Sequence, residues 1–239
     1  MKKKTDHFPA SVSRKFILSN ETPFGIKEAY KTARTNLVFS LSTKENKIVV
    51  VTSCSPSEGK STNCLNLAIT MAETGASVLM IDADMRKPVQ HVLLRLDNKT
   101  GLSSVLGGIV HNVSKVIKKN VRLNLDVLTS GSVPPNPAEL ISSEKMDQLL
   151  ELVGSHYDYV FIDTPPANVV TDAFLFNGKT AGIICVVREG MTTHTDIREV
   201  IEKAKMTNGH ILGFIKAYCT TKGKGGYKSY KYKYEYENK

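Results

Sequence analysis

Short apolar runs, separated by stretches of helical periodicity, dominate the pattern along the chain. The strongest is Lys47-Ile48-Val49-Val50-Val51-Thr52-Ser53. An unbroken apolar run predicts a strand covered on both faces, as in a parallel sheet, because a half-exposed strand would alternate. Further strand runs lie at residues 78–81, 125–128, 159–162, 182–187 and 211–215. Between most of them apolar positions recur at helical spacing: residues 26–41, with Ala29, Ala33, Leu37 and Leu41 four apart, 61–73 ended by Gly75, 143–153 and 195–206. Strands alternating with helices predict the α/β class, a wound and mostly parallel sheet flanked by helices. Residues 1–24, polar and interrupted by Pro9 and Pro23, read as a flexible arm. Residues 220–239, built from Lys, Gly, Tyr and Glu without an apolar pattern, read as a flexible tail. The folded domain is then residues 25–219.

Composition narrows the class. A chain of 239 residues can bury a core without disulfide staples. Cys54, Cys64, Cys185 and Cys219 form no CxxC pair and read as free thiols of a reducing compartment. No apolar run approaches the roughly 20 residues that span a bilayer. The basic start, Met1-Lys2-Lys3-Lys4, is not followed by the apolar stretch of a secretory signal. The formal charge of +9 divides into +6 over residues 1–47, +4 over 220–239 and −1 between them. A groove-binding nucleic-acid protein carries its charge on the folded body, so no specific nucleic-acid partner is expected. Basic ends suit the anionic inner face of a membrane, solubility being the plainer reading.

The loop after the first strand run reads Ser53-Cys54-Ser55-Pro56-Ser57-Glu58-Gly59-Lys60-Ser61-Thr62 and leads into a helix. This is the layout of a phosphate loop. The loop Ser55 to Thr62 would cradle phosphates with backbone N–H groups and a helix N-terminus, Lys60 would reach the β/γ oxygens and Ser61 would hold Mg²⁺. Cys54 stands where the standard pattern has glycine, and a plain strand-to-helix turn is the alternative. Three carboxylates follow buried runs: Asp82 and Asp84 after residues 78–81, and Asp163 after 159–162. In open parallel sheets the carboxyl ends of neighbouring strands face one crevice, so all three can converge on Lys60. Asp163 reads as the acid that orders Mg²⁺, while one of Asp82 and Asp84 would position or deprotonate a hydroxyl and the other support the metal. Singly, each could be a helix cap or turn residue.

Together these residues resemble the bacterial tyrosine kinases of capsule and exopolysaccharide synthesis, which are related to ParA/MinD P-loop ATPases. The resemblance rests on the loop around Gly59-Lys60-Ser61, on Asp82-Ala83-Asp84-Met85-Arg86, on Asp163-Thr164-Pro165-Pro166, and on the stretches 129–140 and 34–37. It implies a fold of the ParA/MinD type, ATP and Mg²⁺ as cofactors, and Ser61, Asp84 and Asp163 as the metal set. It also implies Lys60 at the phosphates, Asp82 as the base for an incoming tyrosine, and Arg86 steadying phosphates or aspartates, a surface salt bridge being the alternative. Residues 214–217, Phe-Ile-Lys-Ala, depart from the Val-Leu-Asn that commonly ends the last strand, so adenine contacts are expected to differ.

Five of the nine tyrosines, Tyr227, Tyr230, Tyr232, Tyr234 and Tyr236, fall within ten residues of the tail. They read as hydroxyl acceptors on a tether, an aromatic membrane-contact tail being the alternative. By resemblance they would be phosphorylated in trans within a ring-like homo-oligomer. The ring motif would be Glu28, Lys31 and Arg34, with lysine where arginine is usual; the plain reading of Glu28 and Lys31 is an i,i+3 helix pair. The resemblance further implies a cytoplasmic kinase recruited to the inner membrane face by a transmembrane activator's cytoplasmic tail. Other protein substrates and a cognate tyrosine phosphatase complete the implied partners. A ParA/MinD-like positioning ATPase without kinase activity is the alternative.

Overall fold

The computed structural model describes residues 14–219. Seven strands make one sheet: β1 (Ile48–Ser53), β2 (Val78–Asp82), β3 (Lys118–Arg122), β4 (Leu125–Leu128), β5 (Tyr159–Asp163), β6 (Gly182–Arg188) and β7 (Ile211–Ala217). Their spatial order is β3-β4-β2-β5-β1-β6-β7, and every pairing is parallel except β3 with β4. The predicted wound, mostly parallel sheet is therefore the observed one.

The central strands are apolar throughout because both faces are covered. Along β1, Ile48 and Val50 enter one core while Val49 and Val51 enter the other; β2 divides Leu79 and Ile81 from Val78 and Met80 in the same way. Helices α6 (Glu144–His156) and α7 (His194–Met206) cover the first face through Met146, Leu149, Val153, Val200 and Ala204. Helices α1 (Phe24–Leu41) and α2 (Lys60–Ala72) cover the second through Leu37, Leu41, Leu65 and Met71. Helix α2 is buried on nearly every side, since α1 lies over it and the sheet under it. Its weak amphipathicity in sequence follows from that position.

Four elements lacked a legible signal: β3 and the short helices α3 (Gln90–Leu94), α4 (Leu102–Leu106) and α5 (Pro137–Ile141). Strand β3 is Lys-Lys-Asn-Val-Arg, a polar edge that no apolar run marks. Its lysines suit an edge strand, where charge discourages pairing with another chain.

Residues 14–18 depart from the expectation of a flexible arm. Ile17 and Leu18 are buried. The Asn66 amide on α2 holds both sides of this segment, accepting from Leu18 N at 2.9 Å and donating to the Phe16 carbonyl at 2.9 Å. Arg14 Nε donates to the Leu93 carbonyl at 3.0 Å. A core position for two apolar side chains and three hydrogen bonds outweighs the polarity by which the segment was read. Residues 1–13 and the five tail tyrosines lie outside the described residues.

Helix α7 begins with a reciprocal cap. Thr193 Oγ1 accepts from Asp196 N at 3.2 Å, and Asp196 Oδ2 accepts from Thr193 N at 2.8 Å. Thr193→Ala is expected to cost about 1 kcal/mol, read as a fall in Tm of about 2–4 °C; an unchanged melt would show that the cap contributes nothing.

Candidate active site

Lys60, Ser61, Asp82, Asp84 and Asp163 meet at the carboxyl edge of β1, β2 and β5. Parallel strands end at the same edge, and Asp82 pairs with Asp163 directly across the β2–β5 register. Both carboxylates are fully buried, and Asp84 is nearly so. The loop after β1 brings Lys60 among them. Its Nζ lies 2.8 Å from Asp84 Oδ2, 3.3 Å from Asp163 Oδ1 and 3.1 Å from Ser61 Oγ. Asp82 Oδ1 accepts from the Asp84 backbone N–H at 3.2 Å, and its Oδ2 accepts from that of Gln90 at 3.1 Å.

Three carboxylates around one ammonium leave an excess of negative charge in a place that water hardly reaches. Burial, together with Asp163 and Asp84, pushes the Asp82 carboxyl well above the usual carboxylate range. Burial raises Asp163 too, against the opposing pull of Lys60. Burial alone would lower the Lys60 ammonium, but Asp163 and Asp84 outweigh it and hold the group above its ordinary value. Such a donor set of hydroxyl and carboxylate oxygens with surplus charge fits a hard divalent cation. Among the described residues no three His, Cys, Asp or Glu side chains are arranged to hold an ion by themselves, so phosphate oxygens and water would have to complete its shell.

The loop's shape explains its sequence. Gly59 precedes α2 at φ +91°, and a Cβ there would come within 3.2 Å of the Tyr218 ring and 3.3 Å of the Asn63 amide. A side chain at that position would be strained and crowded. Cys54 needs no such freedom: it is absent from the positive-φ residues, and its side chain points into the core 3.8 Å from the Cys185 sulfur. Glu58, within the predicted phosphate cradle, is turned inward; Oε2 accepts from Ser55 N at 2.9 Å and Oε1 accepts from the Thr192 hydroxyl. Its role in this structure is to brace the loop.

Arg86 makes its hydrogen bonds to a fourth carboxylate, although Asp84 also lies within reach of its charge. Its guanidinium makes a bidentate pair with the buried Asp172, Nε to Oδ2 at 3.0 Å and an η nitrogen to Oδ1 at 2.9 Å. The ion pair ties the loop after β2 to the turn after β5. The ring-motif residues share α1 but engage the chain itself: Lys31 Nζ is 2.8 Å from Glu28 Oε1, and an Arg34 η nitrogen donates to the Thr70 carbonyl at 2.9 Å. Sequence reasoning passed over Gln90, Asp172, Thr192 and Arg188. The last donates to the Ser57 carbonyl at 3.0 Å and lies 4.2 Å over the Tyr218 ring. None belongs to a motif, and their places follow from folding alone.

An AAA domain family model matches residues 46–206, the whole stretch from β1 to α7. The chain is 40% identical over 188 residues to the tyrosine-protein kinase YwqD of Bacillus subtilis, covering 79% of each protein. The chain belongs to the bacterial tyrosine-protein kinases. It is an enzyme of that class, with the nucleotide-binding loop that the class uses. The solved kinase domain of Escherichia coli tyrosine kinase ETK superposes with a TM-score of 0.77 at 34% identity, covering 84% of this kinase and 80% of that domain. The longer tyrosine-protein kinase wzc of Salmonella typhimurium is 35% identical over 225 residues, and the kinase spans 31% of its length. MinD of Pyrococcus horikoshii, complexed with Mg-ADP, shares the fold at a TM-score of 0.61, with 71% of this chain and 69% of MinD covered at 24% identity. The expected relation to ParA/MinD ATPases is thus a relation of fold.

Removing Arg86 leaves the buried Asp172 carboxylate without its counter-charge. Arg86→Ala is expected to lose about 2–3 kcal/mol in urea unfolding, less than a fully buried pair would because the Arg86 end is part-exposed. A loss below about 0.5 kcal/mol would mark the pair as a surface contact.

Proposed function

We propose that this kinase transfers the γ-phosphoryl group of ATP to tyrosines of its own tail, in trans, and so regulates capsular or extracellular polysaccharide synthesis. The observation that carries the reading is the convergence of Asp82, Asp84 and Asp163 on Lys60 in a chain with five clustered tyrosines. A phosphate loop that only binds and releases nucleotide has no use for so many acceptor hydroxyls. Strand β7 also ends at the edge that carries these residues, with Tyr218 beside Gly59.

In this mechanism the tyrosine oxygen attacks the γ-phosphorus in line, the bond to the β,γ-bridging oxygen breaks, and ADP leaves. Lys60 neutralises charge on the β/γ oxygens, and the loop Ser55 to Thr62 holds the phosphates through the backbone N–H groups from Ser57 to Thr62. Asp82 accepts the phenolic proton. Ser61, Asp84 and Asp163 would hold Mg²⁺, which when bound would supply charge neutralisation for the triphosphate.

Ring assembly through Glu28, Lys31 and Arg34 has support from the exposed Phe24, Ile26 and Phe39 on α1, apolar area that a neighbouring copy would cover. Among the described residues no helix is long and apolar enough to cross a membrane. The basic segments 1–47 and 220–239 support a cytoplasmic place at the inner membrane face, where a transmembrane activator's tail would engage the kinase. Other protein substrates and a phosphatase that resets the tail complete the scheme.

A phosphotyrosine assay with Mg²⁺-ATP tests the reading, with and without the cytoplasmic segment of a membrane activator. Lys60→Ala is expected to lower the signal at least about 100-fold, and truncation after Thr221 to remove most of it. ATP hydrolysis without phosphotyrosine under every condition would instead mark a positioning ATPase. Asp82→Asn is expected to cut kcat while the KM for ATP stays near wild type; an equal loss in ATP binding would overturn the base assignment.

A further inference from the structure

Gln90, the first residue of α3, is fully buried. Its amide nitrogen donates to Asp163 Oδ2 at 2.8 Å and to the Ser61 carbonyl at 3.0 Å. Both partners are pure acceptors, so they fix which end of the amide faces them; the flipped orientation would set Oε1 against a carboxylate and a carbonyl. Oε1 itself is buried and has no hydrogen-bond partner among the described residues. A leucine would fill the same space without stranding an acceptor, so a glutamine here makes physical sense through its two donor bonds. Those bonds join two separate elements: Ser61 lies in the first turn of α2, whereas Asp163 ends β5.

We propose that Gln90 is a positioning residue for phosphoryl transfer. It locks one oxygen of Asp163 to the first turn of α2, so that the other, Oδ1, stays turned toward Lys60 and the cation shared with Ser61. The proposal rests on the reading that Asp163 and Ser61 hold Mg²⁺. Two ligands on different elements can share one ion only at a fixed separation, and a buried amide bonded to both elements sets that separation. Partners that orient a metal-binding carboxylate commonly change metal affinity by about 10–100-fold when removed.

The test uses the full chain and needs no turnover. A fluorescent ADP analogue is titrated in EDTA and then over a range of Mg²⁺ concentrations, with wild type, Gln90→Leu, Asp163→Ala and the double variant. Gln90→Leu keeps the backbone N–H that Asp82 accepts. It is expected to bind the analogue in EDTA as wild type does, but to need about 10-fold or more Mg²⁺ for half of the metal-dependent gain. In the Asp163→Ala background the same substitution should add nothing, because the oxygen it positions is gone. Should Gln90→Leu fail to fold, the unbranched Gln90→Met replaces it. An unchanged Mg²⁺ midpoint, a loss equal in EDTA and Mg²⁺, or a full effect in the double variant would each overturn the proposal. If the wild type gained nothing from Mg²⁺, the metal reading beneath the proposal would fall with it. A normal wild-type gain kept in full by Gln90→Leu would remove the proposal alone.

Discussion

Everything at the carboxyl edge of β1, β2 and β5 depends on one electrostatic constraint: Asp82, Asp84 and Asp163 are buried together with Lys60 as their neighbouring ammonium. Carboxylates taken out of water are costly unless charge and hydrogen bonds compensate them. Two backbone N–H groups serve Asp82, the Gln90 amide serves Asp163, and Lys60 bridges Asp84 and Asp163. The negative surplus that remains is of the kind a hard cation neutralises.

That arrangement needs a rigid floor, which the packing supplies. Helix α2 carries Lys60 and Ser61 on its first turn and is enclosed by the sheet, α1 and residues 14–18. Polar contacts tie it in further. Tyr30 on α1 donates to Asn63 Oδ1 at 2.9 Å, and Asn63 in turn donates to the Gly59 carbonyl at 2.9 Å. The helix bearing Glu28, Lys31 and Arg34 is therefore joined to the phosphate loop through Asn63 of α2. Arg188 at the end of β6 and Thr192 in the turn beyond it brace the same loop through the Ser57 carbonyl and the Glu58 carboxylate.

Most of the fold was legible because its signals are local. Ile48 to Val51 announce a two-sided strand by their own composition, and the strand runs ending at Asp82 and Asp163 repeat that signature. Strand β3 was illegible for the opposite reason: an edge strand of lysine, asparagine and arginine buries too little to leave an apolar trace. Residues 14–18 misled because Ile17 and Leu18 are a short pair in a polar stretch, and their burial depends on Asn66 some 48 residues later in the chain.

The sequence by itself determined the strand-helix alternation, the phosphate loop and the three aspartates that follow apolar runs. These are properties of neighbouring residues, governed by periodicity and by the chemistry that a phosphate site requires. Tertiary structure alone decided that Arg86 would pair with Asp172, that Cys54 would turn into the core toward Cys185, and that Gln90 would bridge Ser61 and Asp163. Each partner lies between 29 and 131 residues away along the chain. Such pairings are fixed by the register of parallel strands and by which buried polar groups lack another partner, and no local pattern encodes either.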